Sequence, residues 1–411
     1  MGCASFRTNV NITDSSIIIG SNGNDFMDRS FVDFNSGVYI INRYTGKKIN
    51  VIDGNIIGDL DVNGTLVYNN KLYYGNDNEE FICRSLDGKE IWRNVASGDV
   101  EHEPVLINDG NKNYIVYASE LGEVDAVDPE SGKKIWSYFT PDFSGWKNGD
   151  NRIIFKVRAF LSYTQSFFTK PDLVDLNSDG VKDLVYITFD NVIRAIDGKK
   201  GKQLWFWNSN NVSIQQVLEI EKKPSGVTLS FLGYKYGMGI DGGRGFMVKL
   251  SEKGAVLKEE VFEKSSMEIN SLNSINISQS ETMFAGEDSL YIMKNNVVAE
   301  KINHADYYEY ENWDKSRKTE SRVSSGSLFG NKVFRYNNHK RCVLLLSQHD
   351  GAKWGTGFIE IIDLDSKSVV RKLSLESPSE MPPQIVDINK DGKDELLLNC
   401  YDGYLYCYSL N

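Results

Sequence analysis

Histidine is nearly missing from this sequence, four in 411 residues, and none belongs to an HExxH zinc-protease helix. A GxSxG nucleophile elbow and a P-loop are also absent, which removes the commonest hydrolase and NTPase signatures. The five cysteines, at positions 3, 83, 342, 400 and 407, are too few and too scattered for a disulfide scaffold or a CxxC metal site. Proline is sparse, 8 residues against 35 glycines, and no apolar run approaches the roughly 18 to 20 residues that span a bilayer. No charged-then-apolar signal peptide is read within the residues given. With 46 basic and 57 acidic side chains the formal net charge is −11, and no local basic patch offsets it, so nucleic acid is not an expected partner.

What is present is ordinary globular composition, 40% hydrophobic and 12% aromatic, arranged in a repeat. A β-rich run, a turn with Gly-Lys and a short strand recur at Tyr39 to Ile49, Ile82 to Trp92, Val124 to Trp136 and Ile193 to Trp205. The repeat glycines, Gly46, Gly88, Gly132 and Gly201, are spaced by 42, 44 and 69 residues: two steps of one four-stranded blade, then a blade with an insertion. Weaker copies surround Gly254, Asn295 and Asp365, and a three-strand copy runs from Ile385 to Leu410. A lone four-stranded sheet buries neither face, whereas a closed ring of them buries both and leaves no end to cap. The expected fold is therefore all-β, one propeller over residues 1–411 with about eight four-stranded blades, seven being the alternative. The segment from Phe6 to Ile12 can supply the outer strand that the last copy lacks. Trp92, Trp136 and Trp205 are expected to pack between adjacent blades.

Several local readings follow. Asn69-Asn70 marks a tight hairpin turn between two strands. Ala255 to Lys264 is the best short helix candidate, with strand as the alternative. Pairing about Asp402-Gly403 would put Cys400 and Cys407 on one face, diagonal to each other, leaving a disulfide open. His102 and His349 stand beside acids but read as surface side chains. Gly237 to Gly242 matches GxGxxG, yet a strand rather than a helix follows, so a dinucleotide site is not expected.

The strongest motif places Asp175, Asn177, Asp179 and Asp183 at positions 1, 3, 5 and 9 around Gly180, with the Val181 carbonyl at position 7. A second copy holds Asp387, Asn389, Asp391 and Glu395 around Gly392, with Lys393 at position 7. Calcium takes six to eight oxygens, and this spacing lets one tight loop supply several. An EF-hand is excluded because position 12 is Tyr186 or Leu398 and the flanks read as strands. Asx-type turns without an ion use the same residues, so that reading stays open. Asp59, Asp61 and Asn63 begin a third copy that lacks its position-9 acid and reads as a turn.

The Gly-Lys-x-x-Trp phrases resemble the PQQ-like (quinoprotein-like) propeller repeat, and the acidic loops resemble the FG-GAP repeat of integrin α-chain propellers. Quinone dehydrogenases of this kind seat their cofactor beside two adjacent cysteines, which this chain lacks, so no PQQ is expected. The residues Met1-Gly2-Cys3-Ala4-Ser5 resemble the end of a bacterial lipobox, which makes Cys3 a candidate lipid carrier and membrane attachment. Myristoylation does not fit, because Phe6 stands where Ser or Thr is needed.

The expectation is a calcium-stabilised, non-catalytic, monomeric scaffold exported to a bacterial periplasm, outer membrane or cell surface. It would bind a protein or glycan through two aromatic insertions, residues 141–170 with Phe143 and Trp146 and residues 303–327 with Tyr307, Tyr308, Tyr310 and Trp313. A polysaccharide lyase or hydrolase built on a propeller is the alternative, and a quinone-dependent dehydrogenase a more distant one.

Overall fold

In the computed structural model the structure describes residues 10–22, 36–54, 61–141, 167, 169–188, 190–208, 212–224, 226–235, 244–261, 273–278, 280–285, 289–294, 297–303, 324–350, 353–375, 379, 381–400 and 402–410. Every regular element named among these residues is a strand, and the strands form eight antiparallel sheets. In sequence order the sheets are blades one to eight, covering residues 11–52, 65–95, 105–139, 172–207, 212–261, 275–303, 324–375 and 384–409. Six blades hold four strands each, blade seven holds five because Phe334–Tyr336 adds a short hairpin, and blade eight holds three.

The alternation of side chains along the middle strands explains why a blade needs neighbours on both sides. In Asn113–Ala118, Tyr114, Val116 and Ala118 pack toward blade four, while Ile115 and Tyr117 pack toward blade two. Such strands read as continuous apolar runs because both faces are buried. The hydrophobic interior divides into eight clusters, each spanning one seam between successive blades. The eighth joins Ile388 and Leu397 of blade eight to Ile17, Ile19, Tyr39 and Ile41 of blade one, so the ring closes with eight blades and not seven. Polar contacts reinforce that seam. Arg43 donates from Nε to Ile388 O at 2.7 Å, from Nη2 to Asp387 O at 2.9 Å and from Nη1 to Thr13 O at 2.7 Å.

The repeat tryptophans do pack between blades. Trp92, Trp136 and Trp205 sit on the fourth strands of blades two, three and four, each opposite a small third-strand residue: Cys83, Ala126 and Ala195. Each indole covers the turn glycine of the next blade, Gly132, Gly201 and Gly254. Their Nε1 atoms donate to Pro129 O at 3.0 Å, Gly198 O at 3.2 Å and Glu252 O at 2.8 Å. The three glycines have φ of 69°, 65° and 75°, and a Cβ would collide with the ring above, so glycine is required twice over.

Four local readings are settled by the backbone. Asn69 and Asn70 make the expected turn, with φ of 48° and 57°. Val256–Val261 is the fourth strand of blade five, not a helix; the preceding strand offers an edge, and pairing runs from Phe246↔Val261 to Leu250↔Val256. At the last hairpin the turn is one residue longer than read, with Leu397↔Cys407 and Asn399↔Leu405 paired. That slip moves Cys400 and Cys407 to opposite faces of the blade, and both are free thiols. Finally, Asn11–Ile12 pair with the second strand of blade one, so this part of the Phe6 to Ile12 segment does not complete blade eight. Phe143, Trp146, Tyr307, Tyr308, Tyr310, Trp313 and Cys3 lie outside the described residues.

Candidate functional site: two acidic loops at blade seams

Both acidic loops occupy the same place in their blades, joining the first strand to the second. One links Asp172–Val174 to Asp183–Ile187 in blade four, the other Gln384–Val386 to Glu395–Asn399 in blade eight. They lie four blades apart in the eight-bladed ring. Loop position 4 has positive φ in both, 60° at Ser178 and 63° at Lys390, and position 6 is glycine at 84° in both, Gly180 and Gly392.

Most of the hydrogen bonding repeats too, except that Asp387 Oδ1 accepts Asp391 N at 3.0 Å whereas its counterpart Asp175 Oδ1 accepts none. Asp175 Oδ2 accepts Gly180 N at 3.0 Å, and Asp387 Oδ2 accepts Gly392 N at 2.8 Å. Asn177 and Asn389 accept the N–H two residues on, at 3.0 and 2.8 Å, as do Asp179 and Asp391, at 3.0 and 2.9 Å. The position-9 acids reach back, Asp183 Oδ2 to Leu176 N and Glu395 Oε2 to Ile388 N, both at 2.8 Å. Burial pushes the Asp183 carboxyl up to about 6, against the downward pull of the Leu176 and Gly198 N–H groups.

These bonds curl each loop around its oxygens, and one oxygen is left over. Asp175 Oδ1 is buried and accepts no hydrogen bond. A carboxylate oxygen in that state is costly unless a water or a cation meets it, and the donor set of the first loop fits a hard, oxygen-seeking ion such as calcium. The main-chain carbonyls of Val181 and Lys393 stand at position 7 of loops whose φ values at positions 4 and 6 agree closely. By contrast, the loop carboxylates are not among the acidic groups of the described residues that gather within 4.8 Å of one another; those are His339, Asp363 and Asp365, and Asp77, Asp99 and Glu101. Neither cluster carries a sequence motif, since each is assembled from separate loops. The first is an ion-pair set on blade seven, with Arg341 Nε 3.3 Å from Asp363 Oδ2 and His339 Nδ1 3.2 Å from the same oxygen.

Each acidic loop is wired to the neighbouring blade. Asp183 Oδ1 accepts Gly198 N at 3.0 Å, and the Gly198 carbonyl receives both Tyr114 Oη, at 2.6 Å, and Trp136 Nε1 from blade three. In the second loop the carbonyls of Asp387 and Ile388 are those gripped by Arg43 of blade one. The third partial copy does something else. Asp61, Val62, Asn63 and Gly64 form the crossover into blade two, where Asn63 Nδ2 donates to Asp77 Oδ1 at 2.9 Å.

Of the histidines, His339 is exposed, whereas His102 is only 4% exposed, contrary to its surface reading. Its Nδ1 faces Glu103 O at 2.8 Å and so carries the hydrogen, and burial pulls the imidazole down to about 3, keeping it neutral.

Comparison with known proteins agrees with this architecture. A family model described as outer membrane protein assembly factor BamB matches residues 36–144, which run from the third strand of blade one through blade three and carry the PQQ-like repeat. No curated protein sequence matches the chain. Similar solved structures include BamB from Moraxella catarrhalis, 11% identical over 100% of this chain and 99% of that one, TM-score 0.54. Sqt1 of Saccharomyces cerevisiae is 9% identical over 100% and 96%, TM-score 0.60. The computationally designed protein Ika8 is 10% identical over 100% and 98%, TM-score 0.58. At these identities the likeness is one of fold.

Proposed function

We propose that this propeller is a non-catalytic scaffold of the bacterial cell envelope that binds a protein partner and is stiffened by calcium in its two acidic loops. The observation that carries the reading is the match of residues 36–144, from the third strand of blade one through blade three, to the BamB family model, whose description is that of an outer-membrane protein assembly factor. The calcium part stands on the duplicated loop geometry and the buried, unbonded Asp175 Oδ1. Calcium bound there would neutralise carboxylates and hold the loops, with no bond made or broken. Asp183 and Arg43 would pass that stiffness across the seams between blades three and four and between eight and one.

The partner reading is tested by affinity purification from cross-linked envelope fractions, comparing the intact chain with a variant whose 303–327 insertion is shortened. Saturable retrieval of the same envelope protein in replicate, reduced in the variant, supports the scaffold and its aromatic insertion. Turnover of a polysaccharide that stops with a chelator, without any retained protein, would replace this reading with the enzymatic one.

A further inference from the structure

The seam between blades three and four encloses two polar atoms, His102 Nε2 and Tyr186 Oη, that have no hydrogen-bond partner among the described residues. Both atoms are buried, and the residues that carry them are 4% and 0% exposed. They come from different blades. His102 lies in the crossover leading to Val105–Asn108, the first strand of blade three, and Tyr186 lies on Asp183–Ile187, the second strand of blade four. The two rings lie against each other, centroids 5.9 Å apart and planes inclined at 51°, yet they share no hydrogen bond.

The two groups are chemically complementary. His102 Nδ1 gives its hydrogen to Glu103 O at 2.8 Å, which leaves Nε2 with a bare lone pair, an acceptor. The Tyr186 hydroxyl carries a hydrogen and is a donor. A buried donor or acceptor left unmet costs at least as much as a lost hydrogen bond, and here two such costs fall side by side. Whatever relieves both must donate to Nε2 and accept from the phenol. A carboxylate has no hydrogen to offer Nε2. An ammonium has no lone pair for the phenol hydrogen, and it would enter a region where the charge of Lys170 already acts on the imidazole. A neutral hydroxyl does both, and the smallest molecule that carries one is water.

The surroundings suit a single small occupant. Phe167, fully buried, meets Tyr186 edge to face with centroids 4.6 Å apart, and Val105, Ile107 and Tyr138 belong to the same apolar cluster. At the same junction Lys170 pairs with Glu103, which joins the residues standing two places before the first strands of blades four and three. The Lys170 side chain is 53% exposed, so solvent reaches the ion pair but not the imidazole next to Glu103.

We propose that one internal water molecule is built into the seam between blades three and four, where it accepts the Tyr186 hydroxyl hydrogen and donates to His102 Nε2. Bridged in this way, the two blades share a polar contact close to Phe167 and Lys170, and the water belongs to the fold rather than to the solvent. Neither calcium nor a partner protein enters into it.

A high-resolution crystal structure of the full chain tests this directly, with one ordered oxygen expected at about 2.5–3.2 Å from both atoms. Oxygen-17 magnetic relaxation dispersion should count one long-lived water fewer in Tyr186→Phe than in the parent protein. The urea midpoint of the same variant supplies a sign. Loss of a bridge lowers the midpoint, whereas removal of a hydroxyl buried without any partner raises it. Should that variant fold poorly, cross-relaxation from water to His102 Hε1 in the unsubstituted, histidine-labelled chain reads the same site and should be observed. A direct bond between Nε2 and Oη, density for a larger molecule, an equal water count in the two proteins, a raised midpoint or no cross-relaxation at His102 would each overturn the proposal.

Discussion

The indole of Trp92 lies so close over Gly132 that a Cβ added to the glycine would stand 2.6 Å from Cδ2 of the ring. The pair joins blade two to blade three, and Gly46 supplies a natural control, since its φ of 65° is close to the 69° of Gly132 while no described atom crowds it. Replacement of either glycine by alanine forces an L-residue into the left-handed region, at about 1–2 kcal/mol. Only Gly132→Ala also displaces a packed ring, so urea denaturation should show it costing at least about 1 kcal/mol more than Gly46→Ala. Equal losses would mean that the ring does not bear on the glycine.

Truncating the ring itself should be expensive. Trp136→Ala removes the packing over Gly201 and the bond to Gly198 O, and the loss is expected at about 3 kcal/mol, the low end for a large aromatic because the ring is only partly buried. Trp136→Phe keeps most of the area but not the donor and should recover more than half of the loss in the same denaturation experiment.

Arg43 closes the ring with two main-chain bonds to blade eight and braces itself with a third to Thr13 O of its own blade, and its guanidinium fork matters more than its charge. Arg43→Lys should therefore cost about 2 kcal/mol, because one ammonium cannot serve three carbonyls in that arrangement. Hydrogen exchange should accelerate first in residues 11–18 and 384–388, on the two sides of the seam. Uniform acceleration around all eight blades would contradict a local latch.

His102 predicts acid sensitivity of known sign. Its folded-state pKa, near 3, lies below the unfolded value of about 6.5, so the unfolded chain takes up the proton first as pH falls. Stability from this group is complete above pH 6.5 and is lost progressively toward pH 3, about 2 kcal/mol of it by pH 5. His102→Gln, which stays neutral, should flatten the pH dependence of the unfolding midpoint between pH 6.5 and 4. An unchanged slope would assign the acid sensitivity to carboxylates instead.

Much of the architecture was legible because a propeller repeats its signal. The Gly-Lys turns and the tryptophan strands fixed blade length, and the two acidic loops announced themselves by spacing alone. The register at Cys400 and Cys407 was not legible, since a turn of one extra residue inverts the faces and local sequence permits both turns. Nor could sequence show that Trp92 answers to Gly132 rather than to Gly88 of its own repeat, because that relation crosses from one blade to the next. His102 was misread for a similar reason: its neighbours Glu101 and Glu103 suggested solvent, while the ring lies against Tyr186 of blade four, centroids 5.9 Å apart. Val256–Val261 escaped because an exposed edge strand carries no alternation to read.

The proposal that the two acidic loops are calcium-loaded staples is tested most directly by calcium titration calorimetry on chelator-treated protein. It should give two binding events per chain, one lost in Asp175→Asn and the other in Asp387→Asn, with the unfolding midpoint raised by calcium only where a site remains. No heat above that of a buffer titration, together with an unfolding midpoint indifferent to calcium, would contradict it and leave the loops as metal-free Asx turns.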